Sequence, residues 1–174
     1  MADMIGPMSY TQVQSMLDAP YPPGLQNYWK SSFMAEISDD AIDAMVAQCT
    51  TRPSPMCHLL IEGILGGAVS RVSQEDTAFN HRDGRYSLLL CGMSPDPDAK
   101  DTIISWTQNF WTAMEPFATD SVYVNYLGGY EDEGEDRVRA AYGPEKYKRL
   151  VALKNKYDPT NMFRLNQNIR PTAS

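Results

Sequence analysis

The stretch GRYSLLLCGM, residues 84–93, decides which fold the sequence predicts. Its apolar residues run almost unbroken from Leu88 to Met93. A strand with one face in water alternates apolar and polar residues, whereas a strand covered on both faces need not. We therefore predict that residues 84–93 form a central strand that is covered on both faces.

The segments on either side of this strand show the periodicities of further strands and helices. The other predicted strands are residues 28–37, 56–65 and 120–129, and the predicted helices are residues 39–49, 102–114 and 144–157. Up to residue 129 the order is strand, helix, strand, strand, helix, strand, which is typical of a ferredoxin-like β-α-β-β-α-β fold. We predict an α+β protein with an antiparallel sheet, helices on one face, and a carboxy-terminal helix followed by a returning tail.

The chain divides into three predicted regions. Residues 1–27 are expected to be irregular, because three prolines and a glycine crowd residues 20–24. Residues 28–129 are expected to form the α+β domain, and residues 130–174 the carboxy-terminal helix and tail. The acidic run YEDEGEDRV, residues 130–138, is predicted to be a solvated loop without a functional role.

The composition is that of a globular protein: 43% of the 174 residues are hydrophobic and 21% are charged. A net charge of −7 without a basic cluster argues against a nucleic-acid partner. The longest apolar stretch, residues 58–69, contains Glu62 and is too short to cross a bilayer. Three cysteines without a C-x-x-C spacing indicate reduced core thiols. Together with an amino terminus unlike a signal peptide, these features predict a soluble cytoplasmic protein without a membrane partner.

The sequence lacks the motifs of several common catalytic and binding sites. Its two histidines, His58 and His81, do not form a zinc signature with any cysteine, so we predict no metal site. The Gly66-Gly67 pair fits neither a dinucleotide loop nor a phosphate loop, and there is no nucleophile elbow. His58 and His81 are interpreted first as hydrogen-bonded structural residues.

The segment VYVNY, residues 122–126, is the strongest candidate for a site on residue pattern alone. On a strand, Tyr123 and Asn125 share one face. A tyrosine hydroxyl beside an amide can orient or deprotonate a polar substrate if the tyrosine pKa is lowered. The structural interpretation also stays open at this point, because tyrosine is common in strands and asparagine is common near turns.

Three segments together resemble a known family. They are TAFNHRDGRYSLLL (residues 77–90), SVYVNYLGG (residues 121–129) and AAYGPEKYKRLVALKNKYDPTNMFRLNQNI (residues 140–169). Their order and spacing resemble the carboxy-terminal half of the berberine-bridge-enzyme-like flavoproteins, which are FAD-linked oxidoreductases of the vanillyl-alcohol-oxidase superfamily. The resemblance runs from about Tyr28 to Pro171, and the tail motif K-Y-D-P-x-N-x-F-x-x-N-Q-x-I is its most specific part.

The resemblance implies roles for particular residues. The family's open sheet face roofs the flavin ring, and its final segment folds back onto the flavin domain. Tyr123 and Tyr126 are the implied catalytic residues. The residues implied to contact FAD are Asn125, Asn161, Asn166 and Asn168, and those implied to contact a small organic substrate are His81, Arg82 and Tyr86.

Two departures from the family pattern shape the functional expectation. The segment that grips the FAD pyrophosphate in the family does not occur among these 174 residues, so we do not expect this chain to bind FAD alone. The family strand that follows the His-Arg pair often presents a glutamine, a lysine or an acid to the substrate. Here that strand offers only Ser87 and Cys91, so no general base is expected on it.

Three functional hypotheses follow. The first is the substrate-binding half of an FAD-dependent oxidoreductase that acts with a flavin-binding partner chain. The second is a repurposed domain whose open sheet face binds a small molecule or pairs with a second copy in a homodimer. The third is a flavin-independent isomerase, cyclase or lyase that uses Tyr123 or Tyr126 as acid or base.

Overall fold

The computed structural model describes residues 6–63, 66–82, 85–128 and 134–172. Within these ranges the helices are α1 (Tyr10–Ser15), α2 (Asp39–Thr50), α3 (Ala68–Arg71), α4 (Lys100–Met114), α5 (Gly134–Tyr142) and α6 (Pro144–Tyr157), and the strands are β1 (Gln26–Met34), β2 (His58–Glu62) and β3 (Tyr86–Ser94). Single 3-10 turns occur at Pro97–Ala99, Glu115–Phe117 and Val124–Tyr126. None of the helices in these ranges has the length and apolar character needed to cross a membrane.

The three strands form one antiparallel sheet in the order β1-β3-β2. The predicted central position of β3 is confirmed, since it pairs with β1 on one side and β2 on the other. Eight of its nine residues, from Ser87 to Ser94, are buried. The predicted α+β class, with an antiparallel sheet and helices on one face, is also confirmed.

Helices α2 and α4 cover one face of the sheet. Leu88 and Leu90 of β3 point into this layer and pack with Ile103, Phe110 and Met114 of α4. Helix α2 begins at the predicted cap, where the Ser38 hydroxyl accepts a hydrogen bond from the backbone N–H of Ala41. The apolar residues of α4 recur every three or four positions, which places them all against the sheet.

The opposite face of the sheet is partly covered by the chain itself. Leu89, Cys91 and Met93 of β3 alternate with the helix-facing residues and are buried on this side. The residues that pack against them are Tyr21, Leu25, Met56, Leu60 and Tyr126. The predicted open face is therefore closed over its Cys91–Met93 end and remains accessible over the end that holds Ser87.

The predicted fourth strand, residues 120–129, is not formed in the described part of that segment. A short extended stretch lies along β1, where the Thr119 N–H donates to the Phe33 carbonyl at 2.7 Å and the Phe33 N–H donates to the Ser121 carbonyl at 3.4 Å. The chain then turns through the 3-10 helix Val124–Tyr126. Val122 leaves the sheet to pack in a second core with Leu127, Val138, Ala141 and Tyr147, and this packing replaces the strand ladder.

Two other expectations differ from the structure. The region 1–27 was expected to be irregular, but residues 10–15 form α1, in which Ser9 and Gln12 make a reciprocal capping box, and β1 already begins at Gln26. The acidic run 130–138 was expected to be a loop, but its part from Gly134 onward begins α5, and the part before residue 134 lies outside the described residues. In α5 the acidic residues occupy the first turn, where they favour a helix.

Helix α6 and the tail complete the fold. The helix spans Pro144–Tyr157 as predicted and ends at Asp158. The tail then contacts its own chain, because the Gln167 side-chain amide donates to the Leu127 carbonyl at 2.8 Å and Ile169 packs on the second core. The Asn155 and Thr172 side chains also bond to each other at 2.7 Å, which returns the end of the tail along α6.

Candidate functional site

A cavity of 430 Å³ opens on the uncovered end of the second sheet face. This volume lies within the range of small-molecule sites in proteins. Strand residues, the loop before β3 and the turn after α4 all contribute to the wall. The lining residues are Phe33, Glu62, Val69, Phe79, Arg82, Ser87, Tyr123 and Tyr126.

The floor of this cavity is a row of three side chains across the sheet. Ser87 of β3 pairs with Phe33 of β1 and with Glu62 of β2. Directly paired residues point to the same face of a sheet, so an aromatic ring, a hydroxyl and a carboxylate stand side by side. Strand pairing alone therefore positions Glu62 in the cavity.

The 3-10 turn brings Tyr123 and Tyr126 together in the cavity. Their ring centroids are 5.2 Å apart and the rings meet edge to face. A 3-10 helix has three residues per turn, so residues three apart lie above one another. The predicted strand would have placed these two side chains on opposite faces of the sheet. The 3-10 turn places them next to each other instead.

Tyr126 and Glu62 form a hydrogen-bonded side-chain pair in the cavity. The Tyr126 hydroxyl lies 3.0 Å from both carboxylate oxygens of Glu62 and donates a hydrogen bond to them. Burial, followed by the hydrogen bond to Glu62, raises the pKa of the Tyr126 phenol above its ordinary value. Tyr126 is therefore a neutral hydrogen-bond donor at physiological pH and not a preformed tyrosinate.

Asn125 and His81 lie on the far side of Tyr123. The Asn125 amide donates to the Tyr123 hydroxyl at 2.7 Å, which fixes that hydroxyl. His81 is 2% exposed, and its ring packs on Phe33 and Phe79 at centroid distances of 4.5 and 5.8 Å. His81, Tyr123 and Asn125 line a separate cavity of 260 Å³, so His81 supports the aromatic wall and does not line the larger cavity.

Arg82 lines the larger cavity, whereas Tyr86 does not. The Arg82 guanidinium donates to the Val69 carbonyl and to the Thr77 hydroxyl, each at 2.7 Å. Tyr86 begins β3 on the helix side of the sheet and packs against the α2–α4 core. Of the three residues implied to contact substrate, the structure thus brings Arg82 alone into this cavity.

The three tail asparagines implied to contact FAD lie outside the cavity lining. Asn161 and Asn166 have φ angles of 54° and 59°, a left-handed conformation that asparagine tolerates better than most residues. The backbone therefore gives a reason of its own for asparagine at these two positions.

Two of these asparagines have side-chain oxygens that could accept hydrogen bonds from a flavin cofactor. The Oδ1 atoms of Asn161 and Asn168 are buried and accept no hydrogen bond from the described residues. Such oxygens fit the N–H and O–H groups of a cofactor such as FAD.

A second polar cluster lies at the covered end of the same sheet face. The Tyr21 hydroxyl donates to Nε2 of His58 at 2.5 Å, and Nδ1 of His58 donates to the Met56 carbonyl at 2.7 Å. His58 is thus a hydrogen-bonded structural residue, as interpreted from the sequence. Among the residues that the structure describes, no group of three or more His, Cys, Asp or Glu side chains could hold a metal ion.

Sequence reasoning missed Glu62 as a site residue. No general base was expected on β3 itself, and the neighbouring strand β2 places a carboxylate, that of Glu62, next to Ser87. The available signal was a glutamate inside the otherwise apolar segment HLLIEGILGGAV. A charged residue in a predicted buried strand indicates either a partner or a site.

Comparison with known proteins identifies the relatives of this chain. Residues 122–170 match the family described as "Berberine and berberine like". An FAD-linked oxidoreductase of Dictyostelium discoideum is 30% identical over 171 residues, an alignment that covers 96% of this chain and 36% of the relative. The berberine bridge enzyme-like protein C-1 of Nicotiana tabacum is 31% identical over 178 residues, covering 86% of this chain and 30% of the relative.

Solved structures share the fold. A berberine-bridge-enzyme-like protein of Physcomitrella patens superposes with a TM-score of 0.71 at 26% identity, over 85% of this chain and 31% of that protein. One from Arabidopsis thaliana gives a TM-score of 0.73 at 22% identity, over 85% and 34% of the two chains. The chain spans about a third of the length of these relatives. The resemblance predicted from the sequence is therefore confirmed.

Proposed function

We propose that this chain, which has the sequence and fold of the carboxy-terminal part of berberine-bridge-enzyme-like FAD-linked oxidoreductases, forms the substrate side of an oxidoreductase active site. Its substrate is a small organic molecule that loses two electrons and two protons. FAD is held by a flavin-binding portion, in the same polypeptide or in a partner chain, that closes the cavity from outside. The relatives named as FAD-linked oxidoreductases support the cofactor and the reaction class.

The observation that carries this proposal is the Tyr126–Glu62 pair in a cavity open to one side. Oxidation of an alcohol or amine by a flavin requires removal of the proton on oxygen or nitrogen as the C–H bond breaks. A neutral tyrosine hydrogen-bonded to a carboxylate can accept that proton if it passes its own proton on. The cavity contains both groups within 3.0 Å of each other.

The proposed proton transfer involves the side chains of this chain alone. The substrate hydroxyl donates its proton to the Tyr126 oxygen, and the Tyr126 proton moves along the existing hydrogen bond to Glu62. Tyr126 ends neutral, and the proton that left the substrate ends on Glu62, whose carboxylate is thereby neutralised. FAD, when bound, supplies the acceptor for the hydride that leaves the substrate carbon.

Other residues of the cavity position the substrate. Asn125 donates a hydrogen bond to the Tyr123 hydroxyl, and the Tyr123 ring packs edge to face on the Tyr126 ring. Ser87 adds a hydroxyl on the floor, beside the carboxylate. Asn161 and Asn168 would accept hydrogen bonds from the bound cofactor or from the segment that carries it, because their buried oxygens have no partner in the described chain.

The test is reconstitution of the chain with the remaining amino-terminal portion of its Dictyostelium discoideum relative, loaded with FAD. We expect at least one compound of a panel of small alcohols, sugars, hydroxy acids and sugar acids to bleach the visible flavin absorbance of the complex. Tyr126→Phe and Glu62→Gln should each slow this bleaching by about 10²–10⁴-fold, the usual contribution of a general acid–base group. Tyr157→Phe, at a residue that is 71% exposed, is the matched control and should have no effect.

Two results would overturn the proposal. One is a complex that binds FAD and reduces it equally fast with Tyr126→Phe, since the relay would then be unnecessary. The other is a flavin that is never reduced, in any complex, by any member of the panel.

A further inference from the structure

We infer that the substrate of the proposed oxidoreductase carries a carboxylate group and that Arg82 binds it. This inference rests on the proposed function, because it assigns a substrate class to the same cavity. It starts from one feature that the proton relay does not use, which is a guanidinium in the cavity wall that has no carboxylate partner among the described residues.

The Arg82 guanidinium is fixed in place by neutral acceptors. It donates to the Val69 carbonyl and the Thr77 hydroxyl at 2.7 Å each, and it lies over the Phe79 ring at 5.4 Å from the centroid. The backbone N–H of the same residue donates to the Gln74 side chain at 3.4 Å. These contacts tie the cation to α3 and to the loop between α3 and β3, so its position does not depend on a ligand.

The charge of Arg82 is not neutralised within the described chain. Arginine has five N–H donors, and within the described residues two of them are used, in the bonds to Val69 and Thr77. In the described ranges no carboxylate lies within salt-bridge distance of this guanidinium, and its Nε–H is buried without an acceptor. Glu62 lines the same cavity but directs its two oxygens to Tyr126.

A half-buried cation with unused donors favours an anionic ligand. Arginine binds carboxylates through paired, charge-assisted hydrogen bonds that are about twice as strong as neutral ones. Here the carboxylate would neutralise Arg82, while the aromatic walls formed by Phe33, Phe79 and Tyr123 contact the body of the molecule. The oxidisable hydroxyl of the same molecule then lies toward Tyr126. A small hydroxy acid or a sugar acid has this combination of groups.

The first experiment compares two probes on the full 174-residue chain. Benzoate and benzamide have the same shape and differ in charge, and their binding is measured by ligand-observed NMR. We expect benzoate to bind about tenfold more tightly, as one charge-assisted contact implies. Equal affinities, or no binding of benzoate at millimolar concentration, would overturn the inference without any variant.

The second experiment removes the charge at two positions. Arg82→Gln should lower benzoate affinity about tenfold and leave benzamide affinity unchanged. Arg85→Gln, which changes the net charge equally at an exposed neighbour, should leave both affinities unchanged. Arg82→Lys keeps the charge and should retain part of the preference, which controls for loss of the loop contacts.

A third variant separates failure of this inference from failure of the proposed function. Glu62→Gln alters the relay end of the cavity and should change the affinity of either probe. If it does, while Arg82→Gln changes neither, the cavity is the binding site but the substrate class is wrong. If neither variant changes the binding of any probe, the cavity is not the site and both proposals fail.

Discussion

Glu62 and Tyr126 illustrate how the surroundings of two ordinary residues change their properties. Glu62 lies at the end of an apolar strand and Tyr126 at the end of a single 3-10 turn. Because the phenol is buried and donates to a carboxylate, its pKa is raised and not lowered. The structure therefore presents Tyr126 as a neutral donor to the Glu62 carboxylate.

Burial makes the thiol of Cys91 unreactive, which gives a direct prediction. Cys91 is 2% exposed and burial raises its pKa to about 11. Thiolate is the reactive form, so at pH 8 this residue should resist iodoacetamide in the native protein and react after unfolding in guanidinium.

The other two cysteines serve as comparisons in the same experiment. Cys57 is also buried and should be protected in parallel, whereas Cys49 is only partly buried and should react first. Labelling is read by peptide mass spectrometry. Early modification of Cys91 would show that the cover provided by Tyr21 and Leu25 opens in solution.

Gly92 is required by the close approach of α4 to the central strand. A Cβ at this position would lie 2.4 Å from the Thr107 hydroxyl oxygen and 2.8 Å from the Ile103 carbonyl oxygen. The Thr107 hydroxyl donates a hydrogen bond to the Ile103 carbonyl within α4, so neither atom can move away independently. We expect Gly92→Ala to lower the free energy of unfolding by about 1–3 kcal/mol in urea titration. Gly66→Ala, where a Cβ meets nothing within 4 Å, should change it far less.

Among the helices and strands, those with a clear local periodicity of apolar residues could be predicted from the sequence. The helices α2, α4 and α6 and the strand β3 recur close to their predicted limits, because each has an apolar pattern that its own packing satisfies. The segment 120–129 has an equally good strand pattern. Its valines are instead drawn into the second core with α5 and α6, and tertiary packing overrides strand propensity there.

The turn after α6 is organised by one carboxylate, Asp158. Its two oxygens accept the backbone N–H groups of Met162 and Phe163 at 2.7 and 3.1 Å, and it pairs with Lys154. The same Lys154 ammonium donates to the Phe163 carbonyl at 2.6 Å. The D-P-x-N-x-F part of the motif is therefore a structural turn that sets the path of the tail.

We expect Asp158→Ala to release this turn while α6 remains folded. Hydrogen exchange of the Met162 and Phe163 amides should accelerate, with the exchange of the α6 amides unchanged, as measured by NMR. Asp18→Ala removes an equal charge from an exposed position outside the tail and is the control. Unchanged exchange at Met162 would show that the proline alone shapes the turn.

The same turn should depend on acid in a defined direction. Lys154 and then the backbone N–H groups lower the pKa of Asp158 below its ordinary value of 3.8. A carboxyl group whose pKa is lower in the folded than in the unfolded state stabilises the fold at any pH above its ordinary pKa. This stabilisation is lost as the pH falls through the pKa of the folded state. Protection of the Phe163 amide should thus be constant from neutral pH down to about 4 and fall below that only in the wild type.

For the whole molecule, sequence reasoning expected a sheet face left open for something outside the chain. Tyr21, Leu25 and Met56 close part of that face, a long-range contact that the irregular early segment did not reveal. The part that remains open is the part that contains the cavity. The family resemblance implied roles for Arg82, Tyr123 and Tyr126, which all line this cavity. Only the pairing of β2 with β3 could place Glu62 beside them.

The tail presents an apolar surface that the described chain does not cover. Met162, Phe163 and Leu165 are 73%, 77% and 85% exposed. The turn at Asp158 nevertheless holds the backbone of Met162 and Phe163 in place. Large apolar side chains fixed in this way are typical of a surface that another segment or chain covers. Under the proposed function that cover is the flavin-binding portion.

Replacing these three residues together by glutamine should therefore weaken binding to the flavin-binding portion without destabilising the fold of this chain. Their side chains contribute little to the core, so the free energy of unfolding should change by no more than about 0.5 kcal/mol. Binding to the flavin-binding portion of the Dictyostelium discoideum relative, measured by calorimetry, should weaken about tenfold or more. Ile42→Gln with Val46→Gln, exposed apolar positions on α2, should leave binding unchanged. If both sets of substitutions weaken binding equally, the tail is not the contact surface, and the flavin-binding portion meets this chain elsewhere.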